Sequence, residues 1–358
     1  MLPSLSRRAL FLFDPETAHR LSILALKTRL IAPERREDAR LRMTVAGLDF
    51  PNPLGMAAGF DKNAEVPDPL LALGFGFVEV GSLTPHPQEG NPKPRIFRLE
   101  NDRAVINRLG FNNDGHDAAM ARLSARTGRP GIVGVNIGAN KDSVDRTADY
   151  AEGIRRFHSV ASYFTVNISS PNTPGLRNLQ ARDSLRDLLS KVFAARGKLA
   201  NGASAIPVFL KIAPDLGEAD LDDIAEEVAQ HPLDGLVVSN TTLSRTGLRA
   251  DPHETGGLSG TPLFERSTIV LAKMRQRVGS RLALIGVGGV DSAETMLAKI
   301  EAGADLVQMY TGLIYGGPGL PGRILDGVAQ HLDRQGIASI AALRDRRTAE
   351  WAARPLPA

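Results

Sequence analysis

Two lysines, six asparagines and one serine mark where this chain could do chemistry. Lys211 stands inside Val208-Phe209-Leu210-Lys211-Ile212-Ala213, an apolar run where an unpaired buried ammonium is costly. It reads as a strand-end lysine reaching water, as a Schiff-base lysine, or as a cation facing an anion that develops on a cofactor. Ionisable groups in such settings are often site residues, which favours function over the first reading. Lys62, beside Asp61, reads as a surface pair unless the fold carries it into a site. Asn107, Asn112, Asn136, Asn167, Asn172 and Asn240 fall at expected strand ends or in loops. Singly, each is best read as a turn residue. As a set, their amides offer the donors and acceptors needed to read a planar ring of amides and imides. Ser170 lies in Ser169-Ser170-Pro171-Asn172-Thr173-Pro174-Gly175, with no G-x-S-x-G elbow, so a hydrolase serine is disfavoured. An isolated serine is a poor base unless its site activates it, and a turn-capping hydroxyl is the plainer reading. The seven histidines show no ligand spacing and the chain has no cysteine, so no metal is expected and thiolate chemistry is excluded.

These residues need a scaffold that brings distant segments together. Short β-rich runs recur near Leu54–Ala58, Phe77–Gly81, Ile132–Asn136, Tyr163–Ile168, Val208–Ile212, Gly235–Ser239, Leu282–Val287 and Ala304–Tyr310, usually with a helical stretch after each. Apolar strands alternating with helices to this number predict an α/β fold, a (β/α)8 TIM barrel, with a doubly wound sheet as the alternative. In a barrel, the segments just past the strands converge on one face. They include Gly59-Phe60-Asp61-Lys62, Ser82, Asn136, Asn167, Lys211, Ser239-Asn240-Thr241, Gly288-Gly289 and Tyr310-Thr311. The glycines after the seventh strand and Tyr310-Thr311-Gly312 after the eighth suit a phosphate, because backbone N–H groups can approach an anion closely there. Extended runs at Arg95–Leu99 and Ala104–Ile106 predict an antiparallel insertion over the barrel mouth.

The 358 residues are 42% hydrophobic and 23% charged, enough for a large core. Residues 1–42 hold nine Lys/Arg against five Asp/Glu, so the basic excess lies in an N-terminal arm. With 5% aromatics and no basic stripe in the body, nucleic-acid binding is set aside. No apolar run is long enough to span a bilayer. Arg7-Arg8 and the apolar residues after it imitate a secretion signal, but Asp14-Pro15-Glu16 interrupts them, so a cytoplasmic protein is expected. Asp14, Pro15 and Glu16 open a helix expected to run to about Leu30, preceded by a shorter one near Leu5 to Phe13. This small amphipathic helical arm suits either a membrane interface or an ordinary hairpin packed on the body. The expected organisation is an arm at 1–42, a barrel at 43–335, and a C-terminal tail at 336–358 with a helix near Ile337–Ala353 and no assigned role.

Several motifs then carry a resemblance. Ala57-Ala58-Gly59-Phe60-Asp61-Lys62-Asn63, Gly81-Ser82-Leu83-Thr84-Pro85 with Gln88, Asn107-Arg108-Leu109-Gly110-Phe111-Asn112-Asn113, Asn167-Ile168-Ser169-Ser170-Pro171-Asn172-Thr173-Pro174-Gly175-Leu176-Arg177 and Gly257-Leu258-Ser259-Gly260 closely resemble the dihydroorotate dehydrogenase family. They lie in order between about residues 10 and 332. The serine at 170 and the arm resemble the membrane-associated, quinone-dependent class 2 enzymes; class 1 enzymes use a cysteine. The resemblance implies oxidation of dihydroorotate to orotate in pyrimidine synthesis, with FMN as cofactor and a membrane quinone as final acceptor. It gives Ser170 the role of base, and Lys62, Asn107, Arg108, Leu109, Gly110, Phe111, Asn167, Asn172, Asn240 and Thr241 contact with substrate. FMN is expected at Ala58, Gly59, Phe60, Asp61, Lys62, Ser82, Asn136, Asn167, Lys211, Ser239, Gly260, Gly289, Tyr310 and Thr311. It further implies a monomer on the cytoplasmic face of the cell membrane, attached by the arm, which lines a quinone tunnel. Phe60 departs from the Leu often found at its position, and Ser82 from a common Thr.

Overall fold

The computed structural model describes residues 10–28, 37–199, 205–250 and 252–357. A hairpin of β1 (Met43–Val45) and β2 (Leu48–Phe50) precedes the main sheet. Ala46 and Gly47 both take positive φ at its turn, the geometry that matches the twist of paired strands. Eight parallel strands then close on themselves: β3 (Leu54–Met56), β4 (Phe77–Leu83), β7 (Ile132–Ile137), β8 (Tyr163–Asn167), β9 (Val208–Ile212), β10 (Gly235–Val238), β12 (Ala283–Val287) and β13 (Leu306–Met309). The pairing of Met56 with Met309 completes the ring and excludes the doubly wound alternative. The sequence located all eight, with ends differing by one or two residues. Among the described residues no helix is long and apolar enough to cross a membrane.

The helices around the barrel are α2 (Pro67–Ala72), α3 (Gly115–Ser124), α4 (Arg146–Phe157), α5 (Arg182–Leu199), α6 (Glu218–Val228), α7 (Phe264–Val278), α8 (Ala293–Glu301), α9 (Thr311–Gly316) and α10 (Leu320–Gln335). Inside, large and small residues alternate between neighbouring strands. A Cβ on Gly55 would lie 2.3 Å from the Phe77 ring, one on Gly134 2.1 Å from Tyr163, and one on Gly235 2.6 Å from Phe209. The three rings and Phe50 meet edge to face, filling the lower barrel with aromatic volume.

The expected insertion is present, with β5 (Ile96–Leu99) antiparallel to β6 (Ala104–Asn107). The sequence did not reveal its third strand, β11 (Gly257–Gly260), which pairs with β6 from far along the chain. In the arm, α1 (Pro15–Lys27) starts where expected, with the Asp14 carboxylate accepting the N–H groups of Glu16 and Thr17. Leu10 and Phe11 are helical, but Leu12 and Phe13 are a turn and a bend, so the helix expected to reach Phe13 ends earlier; its residues 5–9, and Leu30 and Ile31, lie outside the described residues. The C-terminal expectation needs correction. Instead of one helix over Ile337–Ala353 there is a tight turn at Ile340–Leu343, a left-handed Asp345 (φ 68°) that breaks the helical path, and the short α11 (Thr348–Ala352). Ile340, Leu343 and Trp351 join the main core, while Arg344 and Arg275 both pair with buried Asp305, so this segment packs on the barrel.

Candidate active site

A cavity of about 1150 Å³ opens at the C-terminal ends of the barrel strands. Ala58, Gly59, Phe60 and Lys62 enter it after β3, and Ser82 from β4. Asn107, Leu109, Gly110 and Phe111 reach it from the insertion, as do Asn167, Ser170 and Asn172 from β8 and its loop. Lys211, Ser239, Asn240, Thr241, Gly260, Gly289, Tyr310 and Thr311 complete the set expected from sequence.

Three expected residues do not line it. Asp61 is buried with its carboxylate turned to the N–H groups of Glu65 (2.7 Å) and Val66 (2.8 Å), so it orders the turn into α2. Burial pushes it up to about 6, against those two hydrogen bonds. The Arg108 guanidinium lies over the Phe97 ring and pairs with Glu254 at 2.7 Å. Asn136 sits below the cavity, in a polar layer.

That layer follows from the two-residue period of the strands: one step above Phe77, Tyr163, Phe209 and Gly134 come Glu79, Thr165, Lys211 and Asn136. The Glu79 carboxylate, fully buried, accepts from Asn136 Nδ2 (2.7 Å), Gln308 Nε2 (2.9 Å), Thr165 Oγ1 (3.0 Å) and the Tyr163 hydroxyl (3.1 Å). Because Asn136 gives its N–H to Glu79, its Oδ1 faces upward and accepts from Ser82 and from Asn167 Nδ2. Asn167 Oδ1 in turn accepts from Ser169 Oγ at 2.7 Å. One buried anion therefore sets the direction of the whole floor. Asn136 and Asn167 largely serve this floor, whereas Asn107, Asn112, Asn172 and Asn240 line the chamber above it. Sequence reasoning missed Glu79, although Phe77-Val78-Glu79-Val80 shows the same charged break in an apolar strand that singled out Lys211.

The walls hold polar groups that lack partners. Lys211, 5% exposed, makes no hydrogen bond among the described residues; burial lowers its pKa, and the charge of Glu79 acts the other way. Lys62 is brought down to about 8 by burial, with Glu16 opposing the shift. Asn112 Oδ1, Thr241 Oγ1 and the nearby Thr173 Oγ1 are buried without a partner among the described residues. Ser170 Oγ accepts the Asn172 N–H at 3.2 Å, so the turn-capping reading is correct, and it also faces the cavity. At the far wall Gly289 takes φ 71°, and a Cβ there would lie 2.4 Å from Phe264 Cβ. Phe111 holds a left-handed φ of 56°, a strained conformation for a bulky residue and of a kind common at functional sites. A chamber with two cations, unpaired amide and hydroxyl groups and a glycine-lined end fits a large planar ligand carrying a phosphate.

The sequence profile of dihydroorotate dehydrogenase matches residues 40–332. The chain belongs to the dihydroorotate dehydrogenase family. Curated relatives from Brucella ovis and Brucella suis, named dihydroorotate dehydrogenase (quinone), are each 67% identical over 99% of both chains. The crystal structure of Eimeria tenella DHODH in complex with ferulenol superposes with a TM-score of 0.89 at 40% identity, covering 93% of this chain and 95% of that one. Its ligand-free form gives the same score over 96% and 100%. The dihydroorotate dehydrogenase family is flavin-dependent, and this chain shares its oxidoreductase character.

The second end of the same cavity is walled by the arm of this dihydroorotate dehydrogenase family member. Ala18, His19, Ser22, Ala25 and Leu26 of α1 face it together with Leu10 and Phe11. The His19 ring meets Phe60 edge to face, and Phe60 meets Tyr310 the same way, so the departure at position 60 supplies an aromatic bridge between arm and barrel. Burial and the Lys62 charge hold His19 down to about 3, so it stays neutral. Arg98 reaches back to the carbonyls of Leu10 and Phe13 and lies over the Phe11 ring. None of these roles for His19 or Arg98 was visible in the sequence, because they depend on how the arm docks.

Proposed function

We propose that this chain is a quinone-dependent dihydroorotate dehydrogenase that holds one FMN at the barrel mouth and oxidises dihydroorotate to orotate in pyrimidine synthesis. The observation that carries the reading is the shared chamber: Lys62, the lining asparagines and Ser170 at one part, the glycine-lined wall at another, and the arm at the exit. FMN, when bound, supplies the two-electron acceptor and the protein supplies position and charge. The Gly289 and Thr311 N–H groups, which make no hydrogen bond among the described residues, are suited to the phosphate. Ser82, Asn167, Lys211, Ser239 and Gly260 would hold the ring system, with Lys211 compensating negative charge that develops on it. Lys62 would pair with the substrate carboxylate, and Asn107, Asn172 and Asn240 would hold the ring amides.

Ser170 then takes the proton from C5 of dihydroorotate, and the orphaned Thr173 hydroxyl is a candidate to receive it onward. The arm, residues 1–42, forms the quinone entrance and rests on the cytoplasmic face of the membrane. Exposed Leu12, Phe13 and Leu24 support this, being large apolar groups beside the cavity mouth. The barrel acts as a monomer. The test is the anaerobic visible spectrum of the purified protein. Dihydroorotate should bleach a bound flavin and a quinone should restore it; a flavin that dihydroorotate leaves oxidised would rule this substrate out.

A further inference from the structure

The arm and the substrate loops are joined by side chains that the chemistry above leaves unused. Glu16, in the first turn of α1, takes two N–H groups of Arg95, at 2.6 and 3.2 Å. Arg95 is 6% exposed, and its Nη1 donates to the carbonyls of Glu89 (2.5 Å) and Asn91 (2.9 Å). A guanidinium committed to a carboxylate and two carbonyls at once fixes all three. Asn91 carries the connection on. Its side-chain amide donates to the carbonyl of Arg108 at 2.9 Å and to that of Asn172 at 3.1 Å, and its backbone N–H to Leu109 at 3.0 Å. Arg108 and Leu109 belong to the loop expected to hold substrate. Asn172 belongs to the loop of Ser170, whose hydroxyl accepts the Asn172 N–H. Glu16, Arg95 and Asn91 do not line the cavity.

The arm has other attachments, among them Lys27 to Glu65, Arg98 to two carbonyls, Arg40 to Asp333 and the exposed Lys93 to Glu16 itself, and none of these side chains bonds to Asn91. Anchoring alone does not require the Arg95 side chain to be buried under both loops. Resting on the function proposed above, we propose that Glu16, Arg95 and Asn91 are positioning residues for the dihydroorotate half of the reaction. Through them the arm sets the loop of Asn107 to Phe111 and the loop of Ser170. Charge reinforces the link. Lys62 is faced by Glu16 and His19 from α1, by Arg95 and by its neighbour Asp61; of these Glu16 and Asp61 favour its charged form and Arg95 disfavours it.

The experiment uses the full-length flavoprotein, mixed anaerobically with increasing dihydroorotate while bleaching is followed. Glu16→Gln should raise the half-saturating concentration about tenfold, the effect of losing one charge-assisted contact. Reoxidation by a short-chain quinone should stay near the parental rate. Dihydroorotate binding should weaken in the parent as pH rises through about 8, where Lys62 loses its charge, and at lower pH in Glu16→Gln. Asn91→Ala should reproduce the concentration effect with the arm still seated, which keeps the test informative should α1 detach in the first variant. At pH 6, where Lys62 keeps its charge in parent and variants and only the contact chain is read, the double variant should be no worse than the more impaired single, since links in series do not add. Parental concentration dependence in both single variants, or simple additivity, would reduce the chain of contacts to an anchor and overturn the proposal. A parent that dihydroorotate does not bleach would overturn the function itself, and this proposal with it.

Discussion

The barrel and the arm hold their residues in different ways. Every position of β4, β8 and β9 is buried, and their side chains interlock with neighbours that leave no room for an added methyl group. In α1 only Ala18, Ile23 and Leu26 are buried, and polar attachments do much of the holding, through Glu16 and Lys27 in the helix and through Arg98 of β5 on the carbonyls of Leu10 and Phe13 just before it. Dense packing tolerates no displacement, whereas a few polar contacts permit a docked element to shift and return. The difference suits the division of tasks proposed above, in which groups that meet a reacting atom stand on the barrel and the arm would build the entrance for a second, lipid-soluble reactant.

The largest expected effect lies on the barrel side. Ser170→Ala should slow bleaching by dihydroorotate by about 10²–10⁴-fold, the range for losing a general base, with FMN still bound. Stopped-flow absorbance measures it, and a parental rate would remove the base from the barrel and undo the division of tasks. Next comes packing. Gly134→Ala places a methyl group 2.1 Å from the Tyr163 ring and should cost about 3 kcal/mol through overpacking, read from urea unfolding of the flavoprotein. An unchanged midpoint would mean that the barrel floor gives as readily as the arm. The smallest effect is expected on the arm's outer face. Leu24→Glu, at a position 55% exposed, should leave bleaching intact and lower turnover with a long-chain quinone in vesicles several-fold. Equal turnover in vesicles and in detergent for parent and variant would separate the arm from any membrane role.

The same contrast explains what could be read in advance. Strands such as Val208–Ile212 declare themselves by apolar continuity, and once they close in order the position of Lys211, Asn167 or Gly289 at the mouth follows from chain direction alone. The family's motifs then named most of the lining. What escaped depends on long-range pairing. The Gly257–Gly260 strand is too short and glycine-rich to be read as one without β6 beside it. Asp61 and Arg108 lie within site motifs yet turn to α2 and Glu254, because a motif gives proximity along the chain and not side-chain direction. The polar floor was only half seen, through Asn136 and Lys211, since the anion that orders it was passed over as one charged residue among apolar ones.

The pairing of β11 with β6 also bears on how the molecule is made. The sheet over the mouth cannot be completed until residue 260 has left the ribosome, and the glycine wall at 289 and Thr311 come later still. Contacts between segments so distant in sequence form late, after the entropy of closing the intervening chain has been overcome. The first β-α units can therefore assemble during synthesis without forming any pocket able to retain a nucleotide cofactor. Loading of a flavin would have to wait for ring closure between β13 and β3, so a flavin-bound molecule would by construction be one whose chain has been synthesised almost to its end.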